Sequence, residues 1–180
     1  MDEPGRHTEL GTGNCRSWYL GLGSNVGDRE GLLRRALAAL EATEGVRVLA
    51  ASGVYETEPW GDAEQAPFLN LVVLVSSSLD PVALLGEVKR IEAELGRQPR
   101  RRWGPREIDI DLLWCEGLEW NTPELQVPHP LVAERPFVLA PLAELAPDLR
   151  LPDGRRVAEA AAGAEGMKRW RPVVRPERSG

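Results

Sequence analysis

Apolar positions change period several times along the chain. Trp18-Tyr19-Leu20-Gly21-Leu22 reads as a short strand with mixed faces, and Gly23-Ser24-Asn25-Val26-Gly27 as a turn. Asp28 is then placed to cap a helix, with Leu32, Leu33, Ala36, Leu37 and Leu40 on one face and an end near Gly45. Val46 to Tyr55 alternates like a strand, and Glu56 to Pro67, carrying Pro59, Trp60 and Gly61, reads as a loop. Phe68 to Ser76 is apolar enough for a strand buried on both faces. Asp80-Pro81 is a good N-cap and first-turn pair. Leu84, Leu85, Val88, Ile91 and Leu95 continue that helix, and Gly96 sits where it should stop. An arginine-rich loop follows over 97–107, then a strand from Glu107 to Trp114.

The order strand, helix, strand, strand, helix, strand is the split βαβ arrangement. It predicts an α+β, ferredoxin-like βαββαβ core: a mostly antiparallel sheet with its helices packed on one face. A proline-rich C-terminal extension follows, with helix candidates at Leu142–Leu145 and Val157–Ala162. Residues 1–17 lack apolar periodicity and are expected to be a flexible leader. Residues 163–180 are expected to be a flexible basic tail, which leaves one domain over 18–162.

Composition narrows the function. The 180 residues are 42% apolar and 28% charged, a globular mix that excludes general disorder. A chain this long buries roughly 70% of its unfolded surface. Its longest apolar run, Leu71 to Val75, is far shorter than the roughly 20 residues of a membrane span. The start, Met1-Asp2-Glu3-Pro4, resembles no secretory signal, and Cys15 and Cys115 lie a hundred residues apart. A reducing cytoplasm is the expected compartment. The net charge of -6 argues against general nucleic-acid binding. Against that background Arg97, Arg100, Arg101, Arg102 and Arg106 concentrate five cations in ten residues. Such a cluster is either a solvated, ion-paired face or a local polyanion site.

The densest chemistry lies in Arg-Trp-Gly-Pro-Arg-Glu-Ile-Asp-Ile-Asp, residues 102–111. In a strand Asp109 and Asp111 share one face, while Ile108, Ile110 and Leu112 point into the core. Paired carboxylates repel unless a cation lies between them, and magnesium takes one or two carboxylates together with phosphate oxygens. The alternative is an amphipathic strand with a polar outer face, which the poor strand propensity of Asp disfavours. Upstream arginines would flank the same phosphates bidentately. His129, between Pro128 and Pro130, suits a fixed hydrogen-bond donor. Phe68 and Phe137, the only phenylalanines, are either core residues or the two sides of a sandwich around a flat ligand. The glycine spacing of 21–27 is one residue too long for a dinucleotide fingerprint, and no Walker-type lysine follows.

These residues together resemble the hydroxymethyl-dihydropterin pyrophosphokinases of folate synthesis. The resemblance covers residues 18–152 and runs in the family's order. It comprises Leu22-Gly23-Ser24-Asn25, Tyr55 to Gly61, Phe68-Leu69-Asn70, Arg90-Ile91-Glu92, residues 102–106 with Asp109 and Asp111, Val127-Pro128-His129-Pro130, and Arg135-Pro136-Phe137. It implies transfer of the β,γ-diphosphate of ATP to the pterin hydroxymethyl oxygen, with release of AMP and two magnesium ions on Asp109 and Asp111. By the same resemblance Arg97 and Arg106 contact phosphates, with Arg100 or Arg101 adding another contact. Glu92, Trp103, His129 and Arg135 serve the nucleotide side. Phe68 and Phe137 stack on the pterin, and Asn70 with the segment Thr57, Pro59 and Trp60 meets its polar edge. Four positions depart from the family pattern: Lys89 stands for a glutamine, Glu124 for an arginine, Phe68 for a tyrosine, and Pro130 follows His129. The loop from Arg97 to Trp103 is one residue short. A single activity, a monomer, and loops 56–67 and 97–107 closing over ATP are the further expectations. An RNA-binding module on the same fold is the main alternative, but the aromatic signature of such modules is missing.

Overall fold

In the computed structural model, residues 15–59, 64–99, 102, 104–164 and 167–171 are described. The core follows the expected order. Strand β1 (Arg16–Ser24) leads to helix α1 (Arg29–Ala42), β2 (Val46–Ala51), β3 (Val54–Thr57), β4 (Phe68–Ser77), α2 (Pro81–Glu94) and β5 (Asp109–Cys115). The sheet runs β5-β1-β4-β3, with β2 also paired to β4, and every pairing is antiparallel. Both helix starts are capped as their sequences require. The Asp28 carboxylate accepts from the Gly31 N–H at 3.0 Å, and that of Asp80 from the Ala83 N–H at 2.8 Å.

Helices α1 and α2 cover one sheet face. Leu33, Leu37, Leu40, Leu84, Val88 and Ile91 bury themselves there against Trp18, Leu20, Leu22, Leu71, Val73, Ile110 and Leu112. The C-terminal extension covers part of the other face. After a two-strand hairpin, β6 (Trp120–Asn121) and β7 (Gln126–Val127), come α3 (Pro136–Leu145) and α4 (Val157–Ala162). Val138, Leu139, Leu142 and Val157 pack there on Val72 and Leu113. The sequence places a helix only at 142–145 because Pro136 and Pro141 look like breakers. Pro136 occupies the first turn, where no N–H is needed, and Pro141 loses one bond inside a helix held by burial.

Other boundaries also differ from the sequence reading, and β1 starts at Arg16, inside the expected 1–17 leader. The expected strand 46–55 is two strands along one edge of β4, separated at Ser52-Gly53. Ser52 replaces the missing ladder bonds: its N–H donates to the Val72 carbonyl and its hydroxyl accepts from the Val72 N–H, both at 2.9 Å. The Gly53 N–H turns to a Glu144 carboxylate oxygen at 2.6 Å. The expected flexible tail also contains a strand, β8 (Met167–Arg171), paired to the outer edge of β3. An unpaired strand edge is a free hydrogen-bonding surface, and this segment occupies it.

Ser52→Ala removes the acceptor of a buried N–H. It is expected to lower stability by about 1–3 kcal/mol, read as a drop in midpoint by thermal denaturation.

Candidate functional site

The second sheet face is divided. Its far part is apolar and lies under α3 and α4. Its near part carries Gly21, Gly23, Phe68, Asn70, Asp109 and Asp111 and opens into a cleft of ≈ 380 Å³. Strand alternation puts the two aspartates there, because Ile108, Ile110 and Leu112 take the buried face as expected. Glycine in β1 keeps this floor low. A Cβ on Gly23 would stand 2.6 Å from Asn70 Oδ1, so a larger residue would displace that amide.

Each aspartate has its own arginine. Asp109 Oδ1 lies 3.1 Å from Arg97 Nη1, and Asp111 Oδ2 lies 3.3 Å from Arg135 Nη1. Arg97 comes from just past α2 and Arg135 from the residue that starts α3, so two elements distant in sequence meet at one strand. Burial and the neighbouring Asp109 charge push the Asp111 carboxyl up to about 7, against the opposing pull of Arg135. Among the described residues no group of three or more His, Cys, Asp and Glu side chains could hold a metal. A two-carboxylate site is therefore incomplete for a structural cation. It fits magnesium, whose remaining positions go to water and phosphate oxygens.

His129 reaches the cleft through an irregularity in β5. Tyr19 pairs with Trp114 and Leu20 with Leu112, which leaves Leu113 as the extra residue. The Leu113 carbonyl accepts the His129 N–H at 2.8 Å. His129 Nδ1 in turn accepts from the Leu131 N–H at 3.1 Å. Burial, then Arg135, brings the imidazole down to about 4, so near neutrality it is uncharged and carries its proton on Nε2. That makes Nε2–H the ring's donor, as the sequence suggests for a histidine held between prolines.

Arg106, Arg102, Thr57, Phe68, Asn70 and Phe137 also line the cleft. Asn70 Nδ2 donates to Thr57 Oγ1 at 2.7 Å, fixing the amide between two strands. Phe68 and Phe137 are each half-buried on the cleft wall, and Phe137 also packs against the apolar cluster under α3 and α4. The arginine loop and the loop before Phe68 are tied to one residue, Asn25. Its side chain donates to Gln65 Oε1 at 2.9 Å and the Ala66 carbonyl at 3.0 Å, and accepts from the Arg106 N–H at 2.8 Å. Reading 23–27 as a tight turn missed this role. The signal was an asparagine buried next to a strand end.

Two expectations are placed differently, and four more residues fall outside the described ones. Glu92 does not line the cleft. It is 2% exposed beneath it, where Oε1 accepts the Ile110 N–H at 2.8 Å and Oε2 holds Arg97 Nη1 at 2.6 Å. Among the described strands β5 pairs with β1 alone, and the outward N–H of Ile110 has this carboxylate as its partner. Glu92 is therefore a positioning residue. Pro59 lies outside the lining, while its neighbour Glu58 belongs to it. Trp60, Arg100, Arg101 and Trp103 lie outside the described residues. The sequence also gave no warning of a second cavity of ≈ 360 Å³ beside Asp111 and His129. Leu85, Lys89, Leu125, Glu124 and Gln126 line it, which brings together Lys89 and Glu124, two of the positions that depart from the family pattern.

The two shifted groups have opposite effects on stability. A carboxyl raised in the fold adds stability at low pH that is lost as pH climbs toward 7. An imidazole lowered in the fold costs stability below its unfolded value near 6.5. In chelator, the midpoint of Asp111→Asn relative to the parent is expected to rise between pH 4 and 7. That of His129→Gln is expected to fall between pH 4 and 6.5. Thermal denaturation across this range checks both signs.

Known proteins resemble this chain in both sequence and fold. The family model described as 7,8-dihydro-6-hydroxymethylpterin-pyrophosphokinase (HPPK) matches residues 19–147. The chain is 52% identical over 144 residues to a Methylorubrum extorquens protein named 2-amino-4-hydroxy-6-hydroxymethyldihydropteridine pyrophosphokinase, covering 80% of this chain and 90% of that one. A Bacillus subtilis protein of the same name is 44% identical over 153 residues, covering 85% and 89%. The fold is similar to that of a Plasmodium falciparum HPPK-DHPS triple mutant solved with STZ-DHP. There the TM-score is 0.68 at 15% identity, over 83% of this chain and 43% of that longer one. With the family model spanning most of the domain and relatives this close, the chain belongs to the 7,8-dihydro-6-hydroxymethylpterin-pyrophosphokinase family.

Proposed function

We propose that this chain transfers the β,γ-diphosphate of ATP to the hydroxymethyl oxygen of 6-hydroxymethyl-7,8-dihydropterin, releasing AMP, as a step of folate synthesis. One observation carries the reading. Asp109 and Asp111 lie on the floor of a cleft that Arg97, Arg102, Arg106 and Arg135 line together with Phe68, Asn70 and Phe137, and the Arg135 guanidinium stands 5.6 Å from the Phe137 ring. The arrangement suits a polyanion next to a flat, polar-edged ring.

In this reaction the hydroxymethyl oxygen attacks the β-phosphorus, and the bond to the oxygen shared with the α-phosphate breaks. Protein groups contribute positioning and charge, with little covalent chemistry to perform. Arg97, Arg102, Arg106 and Arg135 supply donors to phosphate oxygens in a fixed fork geometry. His129 adds a neutral Nε2–H donor, which hydrogen-bonds without adding charge. Phe68 and Phe137 hold the pterin by its faces. Asn70 Oδ1 and the second hydrogen of its Nδ2 meet the ring's polar edge, since Thr57 already takes the first. Asp109 and Asp111 would hold two magnesium ions, which when bound draw the triphosphate to the carboxylates and offset charge in the displacement.

No helix among the described residues is long and apolar enough to cross a membrane.

The test is AMP release from ATP with and without the pterin, in magnesium and in chelator. AMP is expected only when pterin and magnesium are both present. Asp109→Ala and Asp111→Ala are each expected to lower the rate ~10²-fold or more, in the range seen when charge-stabilising groups are removed. ADP as the product would mean single phosphoryl transfer and would overturn the proposal.

A further inference from the structure

The family match ends at residue 147, yet β8 (Met167–Arg171) lies against the strand that carries Thr57. Its pairing with β3 is irregular. Tyr55 faces Arg169 and Val54 faces Arg171, so Trp170 is the extra residue of a bulge. A bulge re-aims the side chain it carries. Here the Trp170 ring lies over the Arg29 guanidinium at 5.2 Å, and its Nε1–H points to Glu30 Oε2 at 3.4 Å, both at the start of α1. Its neighbour Arg169 reaches Glu144 on α3 at 3.5 Å, so β8 is anchored to helices on both sides of the sheet.

Arg29 is the link to the cleft. Its Nη1 donates to the Pro67 carbonyl at 2.9 Å and to Glu56 Oε2 at 3.2 Å. Pro67 and Glu56 directly precede Phe68 and Thr57, which face each other in the β3–β4 ladder. That ladder is only three pairs long, Tyr55 with Asn70, Glu56 with Leu69 and Thr57 with Phe68. β8 pairs the far edge of β3 at Glu56 and Thr57, and the Arg29 guanidinium joins β3 to β4 where the two strands open into the cleft.

We propose that Trp170 is a positioning residue for the pterin side of the cleft. Its ring fixes the Arg29 guanidinium across the ends of β3 and β4 and so holds Thr57, Phe68 and Asn70 in place before the ligand arrives. The inference rests on the reading of those three residues as the pterin wall. A cation held over an indole face is stabilised by the ring quadrupole, and a pre-ordered wall has less freedom to lose on binding. Trp170 touches neither ligand in this scheme, and its own contacts, Arg29 and Glu30, lie on α1, apart from the nucleotide-side residues that follow α2 or lie on β5.

The test measures binding of the unreactive oxidised ligand 6-hydroxymethylpterin, and separately of a nonhydrolysable ATP analogue, to the parent and to Trp170→Leu and Trp170→Phe. Leucine keeps apolar cover but has no ring face, and it is expected to weaken pterin binding about two- to fivefold. ATP-analogue affinity should stay at the parent value. Phenylalanine keeps a ring face and loses only the long bond to Glu30, so it is expected to restore most of the pterin affinity. In parallel, amide hydrogen exchange of residues 64–70 should quicken in Trp170→Leu while that of residues 109–115 does not. A parent that binds pterin and a leucine variant that binds it equally well would overturn the inference alone. Equal weakening of both ligands would overturn it too, as a general loss of structure. A parent that binds no pterin would overturn the site reading and the inference together.

Discussion

Two carboxylates on one face of one strand repel each other, and most of this structure can be read as the arrangement that holds them there. Asp109 and Asp111 lie on β5, at the end of the sheet that α3 and α4 leave uncovered. Arg97 and Arg135 each take one of them. Those arginines must themselves be held. Glu92 holds Arg97 from beneath, with the same carboxylate that satisfies the outward N–H of Ile110. A buried carboxylate is tolerated when its lone pairs are filled, and here one oxygen takes a backbone donor and the other a guanidinium. The strand, its two acids and one arginine are thereby locked by a single side chain of α2.

The same economy governs the loops. A cleft on a sheet face needs walls, and the walls are loops whose backbones have few partners of their own. Asn25 fills that need on the inner side, bonding to Ala66 and Gln65 in one wall and to Arg106 in the other. Arg29 fills it on the outer side through Pro67 and Glu56. Both residues flank the turn between β1 and α1. The turn between α1 and β1, a strand paired on both edges, thus carries the anchors of both cleft loops.

The sequence made the core legible because burial there is periodic. Ile108, Ile110 and Leu112 alternate with the aspartates, and the apolar faces of α1 and α2 are uninterrupted between good caps. It made the chemistry legible because acids and arginines are improbable in those patterns without a reason. What it hid depends on contacts between distant segments. Nothing local distinguishes Glu92 as a buried backbone acceptor from an exposed helical glutamate. Ser52 looks like any small residue in a strand until Val72 is set opposite it. Trp170 follows two charged residues and lies in a stretch without periodicity, so only the neighbouring strand edge reveals it as part of the sheet. Helix α3 was obscured by prolines whose cost is offset by burial of Val138, Leu139 and Leu142.

The pairs at the cleft floor differ in strength, and the difference suits a site that must exchange partners. Arg135 meets Asp111 at 3.3 Å, and Asp111 is partly open to the cleft, with 31% of its side chain exposed. Solvent at such a pair weakens it, as it does other accessible ion pairs. Arg97 is different, because one of its two acids, Glu92, is buried with 3% of its side chain exposed and lies at 2.6 Å. In the proposed reaction an entering triphosphate would draw Arg135 from its carboxylate to a phosphate oxygen at little cost, and the uncharged His129 beside it would not resist the change. Arg97 would keep its hold on Glu92 and offer its remaining donors to the phosphates. One arginine is a fixed reference and the other an exchangeable counter-ion. The distinction follows from a single difference, whether the partner acid faces the core or the cleft.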